Sequence, residues 1–378
     1  MNIGMVCYAS VGGSGVVATE LAHALAGRGH HVHIISSEPP FRWRDGVPRL
    51  SFTPVEVPSY PLFREPQYLL SLANTIVQIA REQLLDVVHA HYAVPHATAA
   101  LLARQVLAAS PGERAPRIVT TLHGTDITVV GADPSYSEIV AFSIDQSDGV
   151  TAVSHSLREA TLRELSIHRE IAVIPNFLDC GAYRRRPDAA LRRRYAGEDA
   201  ATRVVIHVSN FRPVKRIDSV VQVFARIAAR LPARLLLVGD GPELATARRV
   251  ARELGVADRV HFLGPQEHVL PLLSIADVFL LPSEQESFGL AALEAMACEV
   301  PVVASTTGGL PEVIDHGTTG FLHPVGDVEA MAASALAVLT DAALHERISA
   351  AAMTTVHQRF CVERVVPMYE AYYRQISR

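Results

Sequence analysis

Residues 3–36, IGMVCYASVGGSGVVATELAHALAGRGHHVHIIS, decide the fold. Residues 3–8 form a short apolar run that meets a glycine-rich turn, Ser10-Val11-Gly12-Gly13-Ser14-Gly15. A helical stretch follows over about 16–28, and 31–36 is rich in β-branched residues. Strand, turn, helix, strand is the opening of a doubly wound α/β sheet. Glycines let a backbone approach a ligand closely, and the helix N-terminus behind them favours anions. The spacing is not that of the dinucleotide fingerprint, which needs two residues before its last glycine. A tight turn for strand-to-helix packing explains the glycines equally well.

Outward from this stretch the pattern repeats. Short β-rich runs at 87–90, 118–122, 150–153 and 171–174 alternate with helical segments. Turn residues at 175–179 and a basic, polar stretch at 183–194 interrupt the series. A second series then begins, with runs at 204–208, 235–238, 260–263, 278–281 and 302–304, and the chain ends in a helical segment at 362–376. Two consecutive α/β series predict two Rossmann-like domains facing a central cleft. The expected boundaries are 1–176 and 177–360, with the tail 361–378 as a terminal helix.

Composition limits the function classes. The chain has 378 residues, enough for two domains of ordinary size. Hydrophobic residues make up 49% and charged residues 19%, which suits a globular protein, and the net charge of -5 gives no reason to expect a nucleic-acid partner. Cys7, Cys180, Cys298 and Cys361 are scattered, so the spacing predicts neither a disulfide framework nor a zinc knuckle and fits a reducing compartment. No leader pattern opens the chain, and no apolar run nears the ~18 residues of a membrane span. The expectation is a soluble, cytoplasmic protein without stable membrane association. Homo-oligomerisation is left open.

Four segments could carry chemistry. In Glu286-Ser287-Phe288-Gly289-Leu290 and on to Glu294, two carboxylates stand eight positions apart after the run 278–281. Eight helical steps turn roughly 80° beyond two full turns, so both reach one ligand only if Glu286 precedes the helix. The helix start near Gly289 would then offer free N–H groups to the same ligand. Ser209-Asn210-Phe211-Arg212-Pro213-Val214-Lys215-Arg216 follows the first strand of the second series, where fixed cations suit a diphosphate. Thr120-Thr121-Leu122-His123-Gly124-Thr125-Asp126 ends a strand of the first series and brings His123 to a ligand-facing position. His89-Ala90-His91-Tyr92 ends another, with His89 and His91 on one side. A metal would need a third ligand such as His96 or His123, and no recognised metal spacing is present. The bland alternatives are a solvated acidic pair, a solvated basic loop and structural histidines.

Taken together these residues resemble the retaining GT-B glycosyltransferases of family four. The glutamate pair around Phe288-Gly289 carries the resemblance, with Glu294-Ala295-Met296-Ala297-Cys298, Gly308-Gly309-Leu310-Pro311-Glu312 and Gly320-Phe321-Leu322 in the expected order. It runs from the first strand to the final helix, which such enzymes return to the first domain. The first-domain motifs look most similar to those of members that glycosylate L-malate in bacillithiol synthesis. These are residues 7–21, His89 through Ala97, Thr120 through Thr128 and His207 through Arg212.

The resemblance implies a hexosyltransferase using UDP-N-acetylglucosamine and L-malate, with no cofactor and no metal. It implies that Glu294 holds the ribose hydroxyls of UDP and that Glu286 contacts the transferred sugar beside Phe288, Gly289 and Leu290. Lys215 and Arg212 would hold the diphosphate, with Gly13 of the first domain, and His123 would lie against the sugar. Ser14, Tyr92 and Thr121 would orient malate. The wider family usually has arginine where Asn210 stands, so Arg212 would supply that charge near the donor. A different sugar or lipid acceptor within the family, or a UDP-N-acetylglucosamine epimerase of the same fold, stays open.

Overall fold

The computed structural model describes residues 1–9, 12–58 and 67–378. The chain divides into two compact units, Met1–Asn176 with Val362–Arg378, and Phe177–Cys361.

Unit 1 is built on seven strands: β1 (Asn2–Val6), β2 (His31–Ser36), β3 (Leu50–Pro54), β4 (Val87–His91), β5 (Arg117–Leu122), β6 (Gly149–Ala152) and β7 (Ile171–Val173). Their order is β3-β2-β1-β4-β5-β6-β7, and every pairing is parallel. Helices cover both faces of such a sheet, so its inner strands are buried throughout, as β4 and β6 are at every position. The order reverses between β1 and β4.

Unit 2 repeats the plan with β8 (Arg203–Val208), β9 (Ala233–Val238), β10 (Val260–Gly264), β11 (Val278–Leu281), β12 (Val302–Ser305) and β13 (Phe321–His323). The order is β10-β9-β8-β11-β12-β13, again parallel, with its reversal between β8 and β11. Its core joins β8, β9 and β11 to the helices Ile217–Ala228, Leu244–Glu253 and Val328–Thr340. Both sheets are of the expected doubly wound class. Two strands lie outside the expected runs, β3 and β13. Both are edge strands, and β3 is never fully buried, so neither has the apolar run that marks the inner strands.

The terminal helix Val362–Ile376 packs on unit 1 through Tyr369 and Tyr373, both fully buried. The Tyr372 hydroxyl accepts from the Val150 N–H at 2.8 Å and donates to the Val150 carbonyl at 3.0 Å. Glu370 takes Nε and Nη2 of Arg28, each at 2.9 Å, and Nε2 of His30 at 3.0 Å. The Arg28 fork holds the Glu370 carboxyl down at about 2.

The cysteine expectation needs correction. Cys180 and Cys361 form a disulfide, with Cα atoms 5.5 Å apart across a sequence separation of 181. They meet where the chain enters and leaves unit 2. Leu178 forms a parallel bridge with Cys361, and its N–H donates to the Phe360 carbonyl at 2.9 Å. Local spacing carries no trace of a pairing made by tertiary structure. Cys7 and Cys298 are free and buried. Among the described residues, no single helix is long and apolar enough to cross a membrane; one bent pair, Val328–Thr340 with Ala342–Arg359, passes by length and composition and turns by 103°.

Candidate active site

Ligands of open α/β sheets bind outside the carboxyl ends of the strands where the order reverses. In unit 2 that point lies between β8 and β11. The segment after β8 turns through Phe211, buried with φ +26°, into the short 3₁₀ turn Pro213–Lys215. The segment after β11 runs from Pro282 to Gly289. A main-chain bond from the Glu284 N–H to the Val214 carbonyl, 2.7 Å, ties the two together. Lys215 Nζ then reaches Glu286 Oε1 at 2.6 Å, and the Ser283 hydroxyl donates to the same oxygen at 2.9 Å. Oε2 of Glu286 has no protein partner among the described residues, which leaves an acceptor for a hydroxyl donor.

Glycines set the position of this loop. Gly308 has φ +53°, and a Cβ there would stand 1.8 Å from the Glu286 carbonyl oxygen. A Cβ on Gly309 would stand 2.4 Å from that of Ser287, and the Gly309 N–H donates to the Glu286 carbonyl at 2.9 Å. The segment 308–312 therefore forms a floor on which residues 286–288 lie.

Gly289, at φ +95°, caps the helix Leu290–Ala297. Glu286 thus precedes the helix, and Glu294 is its fifth residue, one to two turns inside. That is the arrangement in which both carboxylates reach one ligand past the free N–H groups of the first turn. Glu294 is buried and accepts from the Tyr183 hydroxyl at 2.9 Å. Tyr183 is absent from the expected site, because it lies in the interdomain basic stretch, far from Glu294 in sequence. Phe288 is buried against Phe360, ring edge to face at 5.6 Å. Arg212 is half-buried at the mouth of the β8 loop and makes no side-chain hydrogen bond or ion pair among the described residues. Asn210 beside it is exposed.

In unit 1 the reversal lies between β1 and β4. Ser10 and Val11 of the glycine-rich turn lie outside the described residues. Gly13 opens the helix Gly13–Gly27 and is exposed, whereas Ser14 is buried. Tyr92 follows β4 with φ +91°, a left-handed conformation costly for an aromatic residue. Its N–H donates to the Thr121 carbonyl at 3.0 Å, and its ring stands 5.2 Å from His123 and 5.5 Å from Tyr8.

The histidines here have defined protonation. Nε2 of His91 faces Met5 Sδ at 3.1 Å, and a thioether only accepts, so His91 carries its proton on Nε2. Its Nδ1, 2.9 Å from His123 Nε2, must then accept, which makes His123 the donor at Nε2. A neutral His123 therefore presents a bare Nδ1. Burial pushes the His123 imidazole down to about 3, so it is neutral at pH 7. Asp126 is buried and receives the N–H groups of Gly124 at 2.9 Å and His123 at 3.2 Å; burial still lifts its carboxyl to about 6.

Thr121 differs from its expected role. It is fully buried, and its hydroxyl is shared between His89 Nε2 at 2.7 Å and Thr151 Oγ1 at 2.6 Å. His89 in turn meets the Tyr373 hydroxyl at 2.7 Å. The Thr121 side chain belongs to a buried hydrogen-bonded layer under the site. Its backbone carbonyl, holding Tyr92, is what it contributes near the surface.

A glycosyltransferase family 4 profile matches residues 11–181, and a glycosyl transferases group 1 profile matches residues 191–355. The chain is 47% identical over 378 residues to the N-acetyl-alpha-D-glucosaminyl L-malate synthase of Bacillus anthracis, covering 100% of this chain and 98% of that protein. Sucrose-phosphate synthase from Thermosynechococcus elongatus superposes with a TM-score of 0.81 at 24% identity, covering 100% of this chain and 99% of the other. HepE of Anabaena, solved with UDP and glucose, gives 0.81 at 22%, covering 98% and 99%. These structures share the fold, and the match to the full-length relative spans both units. With Lys215, Glu286 and Glu294 gathered at the reversal point of its second sheet, this chain belongs to the family 4 glycosyltransferases of GT-B fold.

Proposed function

We propose that the protein transfers N-acetylglucosamine from UDP-N-acetylglucosamine to the hydroxyl of L-malate with retention at the anomeric carbon. The observation that carries the donor half is the grouping of Lys215, Glu286, the helix start at Gly289 and Glu294 on two tied loops of unit 2. The acceptor half is supported by the 47% identity over the whole chain to a protein named N-acetyl-alpha-D-glucosaminyl L-malate synthase.

Each residue has a physical task. Glu294 accepts the ribose hydroxyls of UDP, taking over from or sharing with Tyr183. Lys215 and Arg212 face the diphosphate, and the amides of Gly289 and Leu290 add donors to it. Glu286 does two things: it fixes Lys215 through Oε1 and offers Oε2 to a sugar hydroxyl. As the anomeric C–O bond breaks, negative charge grows on UDP, where these fixed donors stabilise it; one such donor is worth roughly 10²–10³ in rate. The malate hydroxyl forms the new C–O bond on the face UDP leaves, and its proton passes to a β-phosphate oxygen, so no dedicated protein base is required. His123, neutral, accepts a hydroxyl of the sugar at Nδ1. Ser14, Tyr92 and Gly13 serve malate and the phosphate from unit 1. In this reading the protein cations take the place of a divalent metal, and the enzyme works in the cytoplasm.

The test is a UDP-release assay with UDP-N-acetylglucosamine and a panel of hydroxy acids. The expected result is release that depends on malate and an α-linked product by anomeric proton coupling. Release without malate, with epimerised sugar, would assign the fold-sharing epimerase activity instead. A β-linked product would refute retention.

A further inference from the structure

The Cys180–Cys361 bridge stands beside an imidazole. His357, exposed in the last turn of the helix Ala342–Arg359, lies so that one ring nitrogen and the two sulfurs are all within 4.8 Å of one another. Two thiolates and a histidine are a common zinc set, but here the sulfurs are bonded to each other, so neither is available as a thiolate ligand. The group is therefore a bridge with a proton carrier at its solvent side. Cys7 and Cys298 do not compete for it, because burial pushes both thiols up to about 12.

Each half of the bridge leads to the donor loop within unit 2. On one side Cys361 follows Phe360, whose ring supports Phe288 between Glu286 and Gly289. On the other, the Asp179 carbonyl accepts from the Tyr183 N–H at 2.8 Å, in a turn that also holds the Gly181 and Ala182 N–H groups on Asp179 Oδ1 at 2.9 and 3.1 Å. From this turn the Tyr183 hydroxyl reaches Glu294. Besides the bridge, a Leu178-to-Phe360 main-chain bond and its β-bridge are the main-chain links between the two segments among the described residues.

We propose that Cys180–Cys361 is a reversible thiol–disulfide exchange site that sets how firmly unit 2 holds the nucleotide of its donor. The co-reactant is a small thiol. Its thiolate attacks one sulfur, the S–S bond breaks, and the other cysteine leaves as a thiolate that takes a proton from His357 or water. A second thiol resolves the mixed disulfide. The sum is one protein disulfide and two small thiols giving two cysteine thiols and one small disulfide, a transfer of two electrons and two protons. Reduction leaves the 178–183 and 360–361 segments joined by the main-chain contact at Leu178 without the covalent tie, and so loosens the supports of Phe288 and Glu294. The coupling rests on the donor-site reading above.

The experiment uses the full-length chain, purified without reductant and divided into untreated and dithiothreitol-treated samples. Thiol titration in denaturant should find two thiols before treatment and four after, returning to two on reoxidation with a mild oxidant. UDP binding by calorimetry should weaken roughly fivefold on reduction, the worth of about one ordinary hydrogen bond. The C180S/C361S double variant should bind like the reduced form and ignore reductant, and His357→Ala should slow reduction without changing UDP affinity in the oxidised form. Four thiols both before and after mild oxidation would overturn the exchange site. Equal UDP affinity in the two forms would overturn the coupling. Failure of UDP to bind either form would remove the donor-site reading and the coupling with it, while the thiol count still decides the bridge.

Discussion

Lys215 and Glu286 form a half-buried ion pair, and in the free protein its main effect is positional. An ion pair at 2.6 Å fixes a lysine that would otherwise sample many rotamers, so the charge is already in place when a diphosphate arrives. Lys215→Ala is expected to lower kcat/KM by roughly 10²–10³, mostly in kcat, in the UDP-release assay. Glu294 is a separate case, because ribose binding acts on ground and transition state alike. Glu294→Ala should weaken UDP by roughly 10–100-fold in calorimetry, the loss of one or two hydrogen bonds to a charged acceptor. A variant that kept its UDP affinity would refute the ribose role.

At the scale of the element, the donor loop is held by backbone contacts that only glycine permits. Gly308→Ala places a methyl group inside the Glu286 carbonyl and forces a left-handed φ on alanine. The expected cost is at least about 1–3 kcal/mol by denaturant unfolding, with turnover lost because Glu286 moves. The C-terminal helix is held by its tyrosines and by the Glu370 clamp. The Glu370 carboxyl is held near 2, below its unfolded value of about 4.5, so its stabilisation is present above pH 4.5 and is lost as pH falls toward 2. Glu370→Gln should cost about 2 kcal/mol at pH 7, after allowance for the part-exposed Arg28, and should have little effect at pH 2.

At the scale of the molecule, unit 1 carries three fully buried histidines, His89, His91 and His96. Burial pushes His89 to about 3 and His96 to about 4, with His91 lower than an ordinary imidazole for the same reason. The unfolded chain takes up protons near pH 6.5 that the folded rings refuse, so stability falls as pH drops below 6.5. Each ring contributes up to about 1.4 kcal/mol per pH unit until its folded value is reached. Asp126 opposes this: its folded carboxyl, near 6, holds a proton the unfolded chain has lost between pH 6 and 4. Three rings outweigh one carboxyl. Acid titration should therefore unfold unit 1 from pH 6 downward, read by the lone tryptophan, Trp43, which lies in that unit. A flat Trp43 signal between pH 7 and 4 would count against buried neutral histidines.

What could be read from the sequence follows from how local the signal is. Inner strands of a parallel sheet are buried on both faces, so each shows as an apolar run, and both sheets were legible from such runs. The edge strands β3 and β13 are half-exposed and carried no such mark. The placement of Glu286 before a helix and Glu294 within it was legible too, because the strand end, Gly289 and the helix lie in one short segment. Tertiary structure alone decided the rest. It joined Cys180 to Cys361, brought Tyr183 to Glu294, and committed the Thr121 hydroxyl to His89 and Thr151. Each of these is a contact between segments distant along the chain, where spacing carries no information and only the packed fold sets the distance.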